Sequence, residues 1–234
     1  PHIGTDRLAI VVKNIRKKIE LLGGEVRLEW KLERLLVANG FVHGVTCIHK
    51  GEQIDIETDS VIMAIGHSAR DTVEMLYNLG VEIIQKPFSV GARIEHPQSL
   101  INKAQYGKFA DHPKLGAADY KLACHGLHER GAYTFCMCPG GTVVAAASEK
   151  KGVIVNGMSS LARDGENSNA ALHVGIETKD FPGEHPLAGI YYQREIEHNA
   201  YELAGASYKA PAQLVGDFLK NQKSVALGNI EPSC

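Results

Sequence analysis

Residues 59–71, Asp-Ser-Val-Ile-Met-Ala-Ile-Gly-His-Ser-Ala-Arg-Asp, constrain the fold of this chain more than any other stretch. Val61 to Ile65 is an apolar run without alternation, the pattern of a strand covered on both faces of a parallel sheet. It stops at Gly66, and Ser68-Ala69-Arg70-Asp71 then reads as a capping box, with Ser68 as N-cap and Asp71 at N3. Strand, glycine and helix start in succession is how open α/β sheets build ligand sites at the carboxyl ends of their strands. The glycine admits something close to the backbone, and the free N–H groups of a helix start favour an anion. An ordinary strand–helix turn has the same sequence, so both readings stand.

Upstream, Leu8, Val11, Val12, Ile15, Ile19 and Leu22 recur at helical spacing and predict a helix over residues 6–22, with Thr5 as N-cap and Gly23-Gly24 as its stop. Val26, Leu28 and Trp30 alternate as in a half-buried strand. Leu32 to Val37 stays extended up to Asn39-Gly40, a strong hairpin signal, and Phe41 to His49 is the returning strand. A turn at Lys50-Gly51 leads into the alternating segment Gln53 to Glu57. A second helix is predicted over residues 70–79, ending at Gly80.

Lys86-Pro87 marks a boundary, because the proline pushes Lys86 away from helical backbone. Beyond it, strands are predicted at Phe88 to Glu95, Tyr133 to Cys138, Val143 to Ser148, Val153 to Met158 and Ala170 to Glu177, with a turn at Pro139-Gly140-Gly141. Pro97 to Ala104 reads as a short helix, residues 187–204 as a longer one, and Pro211 as the first position of a last helix ending near Leu219. Residues 111–119, 163–169 and 179–186 read as loops. The fold class expected is an α/β mixture. Residues 1–85 form the tail of a parallel-sheet domain with a small antiparallel meander, and residues 86–234 form a mostly β domain with late helices.

The chain has 234 residues and a net charge of −2, and it carries no basic stripe, so a nucleic-acid partner is not signalled. It contains no apolar run long enough for a membrane span. Five cysteines, an odd number without framework spacing, point to a reducing, cytoplasmic setting. Opening on Pro1 and closing on Ile-Glu-Pro-Ser-Cys, the chain reads as a piece of a longer protein. No Gly-x-Gly-x-x-Gly occurs, so a nucleotide site marked by Gly66 would be begun by residues before Pro1.

Four blocks occur in order: Pro1-His-Ile-Gly-Thr-Asp6, Ala64-Ile-Gly-His-Ser-Ala-Arg-Asp-Thr72, Arg93-Ile-Glu-His-Pro-Gln98 and Cys136-Met-Cys-Pro-Gly-Gly141. Over nearly its whole length the chain resembles a family of bacterial FAD-dependent dehydrogenases, more distantly similar to glutathione-reductase-type flavoproteins. The resemblance implies a parent of roughly twice this length that carries the glycine-rich FAD loop upstream. It also implies hydride transfer between the flavin and a small substrate held between two domains, with FAD absent from or weakly bound by this piece alone. The rival class is a non-catalytic ligand-binding or assembly module that keeps a flavoprotein fold. A flavoprotein acting on RNA is disfavoured by the near-neutral charge.

Carried over residue by residue, the resemblance places Ala64, Ile65, Gly66 and His67 against FAD. His67 either donates a hydrogen bond or shuttles a proton at the flavin, or satisfies local backbone. His2 and Thr5 lie at a domain seam; Thr5 is read as a cap, and His2 has both a structural and a cofactor-contact reading. Arg93 either pairs with Glu95 on the same strand face, the preferred reading, or binds a substrate carboxylate. Gly140 and Gly141 permit a close approach to a ring. Arg70 either meets a phosphate or is a solvated first-turn arginine, the preferred reading, and Arg163, Asp164, Asn167, Ser168 and Asn169 form a polar loop read as surface in preference to a substrate loop. Cys136 and Cys138 are too close for a Cys-x-x-Cys dithiol and lack further zinc ligands, so no metal is expected. Alternation aims both sulfurs to one face, as two small packing residues before a turn.

Overall fold

A computed structural model describes residues 2–127 and 130–227 of the chain. Pro1 and the closing stretch with Cys234 lie outside the described residues. Helix α1 spans Thr5–Leu21 and is followed by strands β1 (Trp30–Ala38), β2 (Phe41–His49) and β3 (Glu52–Glu57). These three make an antiparallel sheet in the order β1-β2-β3. The β1–β2 turn forms because Asn39 (φ 52°) and Gly40 (φ 80°) both tolerate the left-handed backbone that a two-residue hairpin needs. Ala38 and Phe41 close the ladder across it. Thr46, fully buried on β2, donates to Asp55 at 2.6 Å and accepts from Arg34 at 3.1 Å, satisfying the buried hydroxyl.

Helix α2 (Arg70–Asn78) follows, then β4 (Phe88–Pro97), α3 (Gln98–Tyr106), β5 (Ala123–Leu127), β6 (Arg130–Cys138), β7 (Gly141–Ala146), β8 (Ile154–Ser159), β9 (Asn167–Ile176), α4 (Ala188–Leu203) and α5 (Val215–Leu219). The second sheet is ordered β4-β9-β6-β5, and β7 and β8 pair as a two-stranded ribbon. Every recorded strand pairing is antiparallel. The core lies where Ile176, Phe181 and Ala188 meet Phe88, Val90 and Tyr192, with the Phe88 and Phe181 rings stacked at 5.2 Å. Among the described residues no helix is long and apolar enough to cross a membrane.

The expected parallel sheet is absent among the described residues. Val61 to Ile65 has no strand partner and runs as irregular chain, with Ile62 94% exposed. The apolar run records suitability for burial; a parallel strand also needs a parallel neighbour, and none of the described strands pairs with it. Helix α1 forms as its periodicity predicts, yet none of its residues is buried. Its N-cap is Gly4, while Thr5 turns its hydroxyl to the Ser159 carbonyl at 3.2 Å. Val26 and Leu28 belong to no strand, and Pro211 lies four residues ahead of the short α5. Strand β5 carries no clear alternation in the sequence and depends on pairing with β6.

Candidate functional site

Ala64 to Ser68 forms an exposed turn, with Gly66 at φ 67°. Among the described residues, no heavy atom other than those of its chain neighbours lies within 4 Å of where a Gly66 Cβ would sit, so one face of the turn is open. The expected capping box does not form: Ala69 is the N-cap of α2, without a side-chain bond. Asp71 instead accepts from the Thr72 N–H at 2.9 Å and pairs with Lys31 on β1, also at 2.9 Å. The hydrogen bond and charge of Lys31 hold the Asp71 carboxyl below its ordinary range. A carboxylate already occupying this helix start leaves it less suited to a phosphate than to a polar ring edge. Exposed His67 reaches Ser68 Oγ at 3.4 Å, and Ser68 meets Ser148 Oγ at 3.0 Å.

Arg70 is not solvated. It is 1% exposed and bonds both carboxylate oxygens of Glu197, at 2.6 and 3.0 Å. It also donates to Glu149 at 2.8 Å and to Gln193 at 3.3 Å. Burial works against its charge, but Glu197 and Glu149 outweigh it, so the guanidinium is held more firmly protonated than usual. Arg194 grips Glu149 through two bonds, at 2.7 and 2.8 Å, and also pairs with Glu74 of α2. Bonding by Arg194 is the largest cause that lowers the Glu149 carboxyl to about 2. The network ties α2 to α4 and to the segment after β7. Sequence reasoning missed it, and only the i, i+4 pair Gln193 and Glu197 on α4 hints at one charged helix face.

Around the β6–β7 turn the chemistry is tight. Cys138, Pro139, Gly140 and Gly141 are buried. A Cβ on Gly140 (φ 52°) would run into the Arg163 carbonyl and come within 2.9 Å of Asp164 N, and one on Gly141 would meet the Met158 carbonyl. The close approach these glycines permit is therefore to the chain's own backbone. Gly140 N donates to buried Gln98 at 2.8 Å, and the Gly140 carbonyl accepts from Gly165 N at 3.2 Å. Cys136 and Cys138 do not share a face: a bulge between Phe135 and Cys138 puts Cys136 at φ 48°, with its residue exposed and Cys138 buried. Burial pushes the Cys138 thiol up. Arg93 holds the bulge, donating to the Cys136 carbonyl at 2.7 Å and, through Nε, to Asn169 Oδ1 at 2.7 Å.

Ser168 and Asn169 are fully buried on β9 rather than on a surface loop, because β9 lies between β4 and β6. Asn169 Nδ2 finds no acceptor among the described residues. The His96 ring bonds Ser168 Oγ at 3.0 Å and the Tyr120 hydroxyl at 2.9 Å. Burial lowers His96 and raises Tyr120, so both stay neutral near pH 7. His2 contacts the Ser160 carbonyl at 3.1 Å and Ser159 Oγ at 3.3 Å. No group of three His, Cys, Asp or Glu side chains is placed to hold a metal among the described residues.

The expected site residues thus fall into two places. His2 and Thr5 meet the end of β8, where Ser159 pairs with Gly141, and Gly140 and Arg93 lie nearby. Ala64 to His67 lie at the other end of β7, near Ser148. The six residues of β7 are roughly 16 Å of extended chain between them, more than a flavin ring spans.

Together these features define, among the described residues, a mixed α+β protein of three antiparallel sheets in which the open Gly66 turn leads into a helix start held by a buried arginine. Residues 87–234 match the family described as FAD-dependent protein, C-terminal domain-like, and the chain belongs to that family. It is 50% identical, over 233 residues, to a protein of Clostridium beijerinckii named only as uncharacterized. The match covers 99% of this chain and 43% of that protein, so the chain spans less than half the length of the curated relative it matches.

Proposed function

We propose that this chain is the substrate-domain-containing part of an FAD-dependent oxidoreductase and that Ala64 to His67 meet the cofactor. The open face of the Gly66 turn carries this reading: an exposed glycine with left-handed backbone, free space above it, and a rigid attachment through Ser68 and Arg70. Family membership supports it. FAD bound there would supply two-electron transfer with an unidentified small substrate. The chain's own residues shape the site: Gly66 leaves room, exposed His67 can give or take a proton at its ring nitrogens, and Asp71 keeps the helix start from drawing a phosphate. Arg93, with Nε and Nη2 committed to Asn169 and Cys136, enters as the organiser of the β6 bulge beside the substrate region. Free Cys47, Cys124, Cys136 and Cys138 suit a reducing, cytoplasmic setting.

An assembly role is the second reading, favoured by the uncovered apolar stripe of α1, where Leu8, Val12 and Ile15 stand exposed. The experiment is to purify a protein with the full length of the Clostridium relative and measure flavin absorbance, with Gly66→Val beside it. Stoichiometric FAD in the parent and its loss in a folded Gly66→Val variant is the expected result. A flavin-free parent refutes the oxidoreductase reading and leaves the assembly role; unchanged flavin in the variant removes Gly66 from the site.

A further inference from the structure

We propose that Arg70 is a positioning residue: it presents the 64–68 turn to its ligand by clamping the start of α2 to α4. This rests on the reading of that turn as the FAD contact. The guanidinium reaches out of the segment preceding the family match, which begins at residue 87, and is held by Glu149, Gln193 and Glu197, all within it. Ser68 repeats the tie two residues earlier, ahead of α2, through Ser148, next to Glu149. Gly66 and His67 lie directly ahead of these two anchors and are both exposed. Besides the packing of α2 on β1, the open turn therefore takes its position from charged partners on α4 and on the segment after β7. The fork of Arg70 is matched to both oxygens of Glu197, a geometry that fixes orientation as well as distance. Gln193, Arg194 and Glu197 lie within one turn of α4, so a shift of that helix carries the turn with it.

Two readouts test the clamp. The first is amide hydrogen exchange across the full-length protein, with Arg70→Met, Arg70→Lys and Glu197→Gln compared with the unsubstituted protein. Exchange over the clamped start of α2, where the Thr72 and Val73 N–H groups bond the Ala69 carbonyl, should rise at least tenfold in Arg70→Met and in Glu197→Gln, with the β1–β3 sheet unchanged and partial rescue in Arg70→Lys. Should Arg70→Met fail to fold, Glu197→Gln makes the same comparison. Unchanged exchange at the start of α2 in a folded variant, or acceleration spread evenly over the chain, overturns the proposal. The second readout is the full-length protein titrated with FAD: the variants should weaken binding at least tenfold and shift the flavin absorption band. Unaltered affinity and spectrum with a loosened helix start would overturn the positioning role. A full-length parent that binds no FAD sinks the flavin reading alone, and the exchange result then decides the clamp.

Discussion

Replacing Gly140 with valine puts the β6–β7 turn under a strain that can be worked out from its surroundings. At φ 52° any L side chain costs about 1–2 kcal/mol relative to glycine. The new Cβ would press on the Arg163 carbonyl and come to 2.9 Å from Asp164 N, both backbone and neither free to swing aside. Forcing extra carbon into a packed interior costs about 1–3 kcal/mol. Displacement of the turn also threatens the bond from Gly140 N to Gln98 at 2.8 Å and the one from Gly165 N at 3.2 Å, each worth about 1 kcal/mol. The expected loss is roughly 2–5 kcal/mol from strain and crowding, rising to about 7 kcal/mol if both bonds are lost, a large share of the total stability of an ordinary domain. Gly40→Ala is the control: its φ is 80° but nothing lies within 4 Å of the new Cβ, so only the backbone cost of about 1 kcal/mol applies. Urea unfolding of the chain with Gly140→Val, Gly140→Ala and Gly40→Ala makes the comparison. A Gly140→Val loss below about 1 kcal/mol, or equal losses for both alanine variants, would refute the steric argument. The consequence for function is direct: lost activity in Gly140→Val reports a disturbed backbone and does not by itself place a cofactor at that turn.

Among the described residues, exposed Cys124 and Cys136 should alkylate at least tenfold faster than buried Cys47 and Cys138, about the contrast expected from access to the thiolate; mass mapping after a brief pulse of iodoacetamide reads it, and equal rates would contradict the bulge at Cys136. The Glu149 carboxyl lies at about 2 in the folded chain against 4.5 unfolded, so its bonds to Arg194 and Arg70 stabilise fully above pH 4.5, and that contribution fades as pH falls toward 2. Glu149→Gln should therefore be less stable than the parent near neutral pH, with the gap closing through that window in acid; a gap independent of pH would show that the charge of Glu149 is not what matters.

The hairpins and helices of this chain were legible in the sequence because their determinants are local. Asn39-Gly40 specifies its turn through the backbone freedom of those two residues, and β2 runs over the span expected of the returning strand, Phe41–His49. Helix α1 follows from its periodicity even though none of its residues is buried. The turn at Gly66 was also legible, as a glycine between an apolar run and a helix start. What the sequence alone could not decide is which groups meet. Val61 to Ile65 has the composition of a central strand, but a strand exists only with a hydrogen-bonded neighbour, and composition does not supply one. Arg70 looks like a solvent-facing charge until Glu149 and Glu197, 79 and 127 residues further along, close around it. The paired thiols of Cys136 and Cys138 diverge because β9 holds β6 in a register that needs a bulge. Local backbone preferences are properties of a few neighbouring residues; burial, ion pairing and register are properties of surfaces brought together from distant parts of the chain, and only the tertiary structure brings them together.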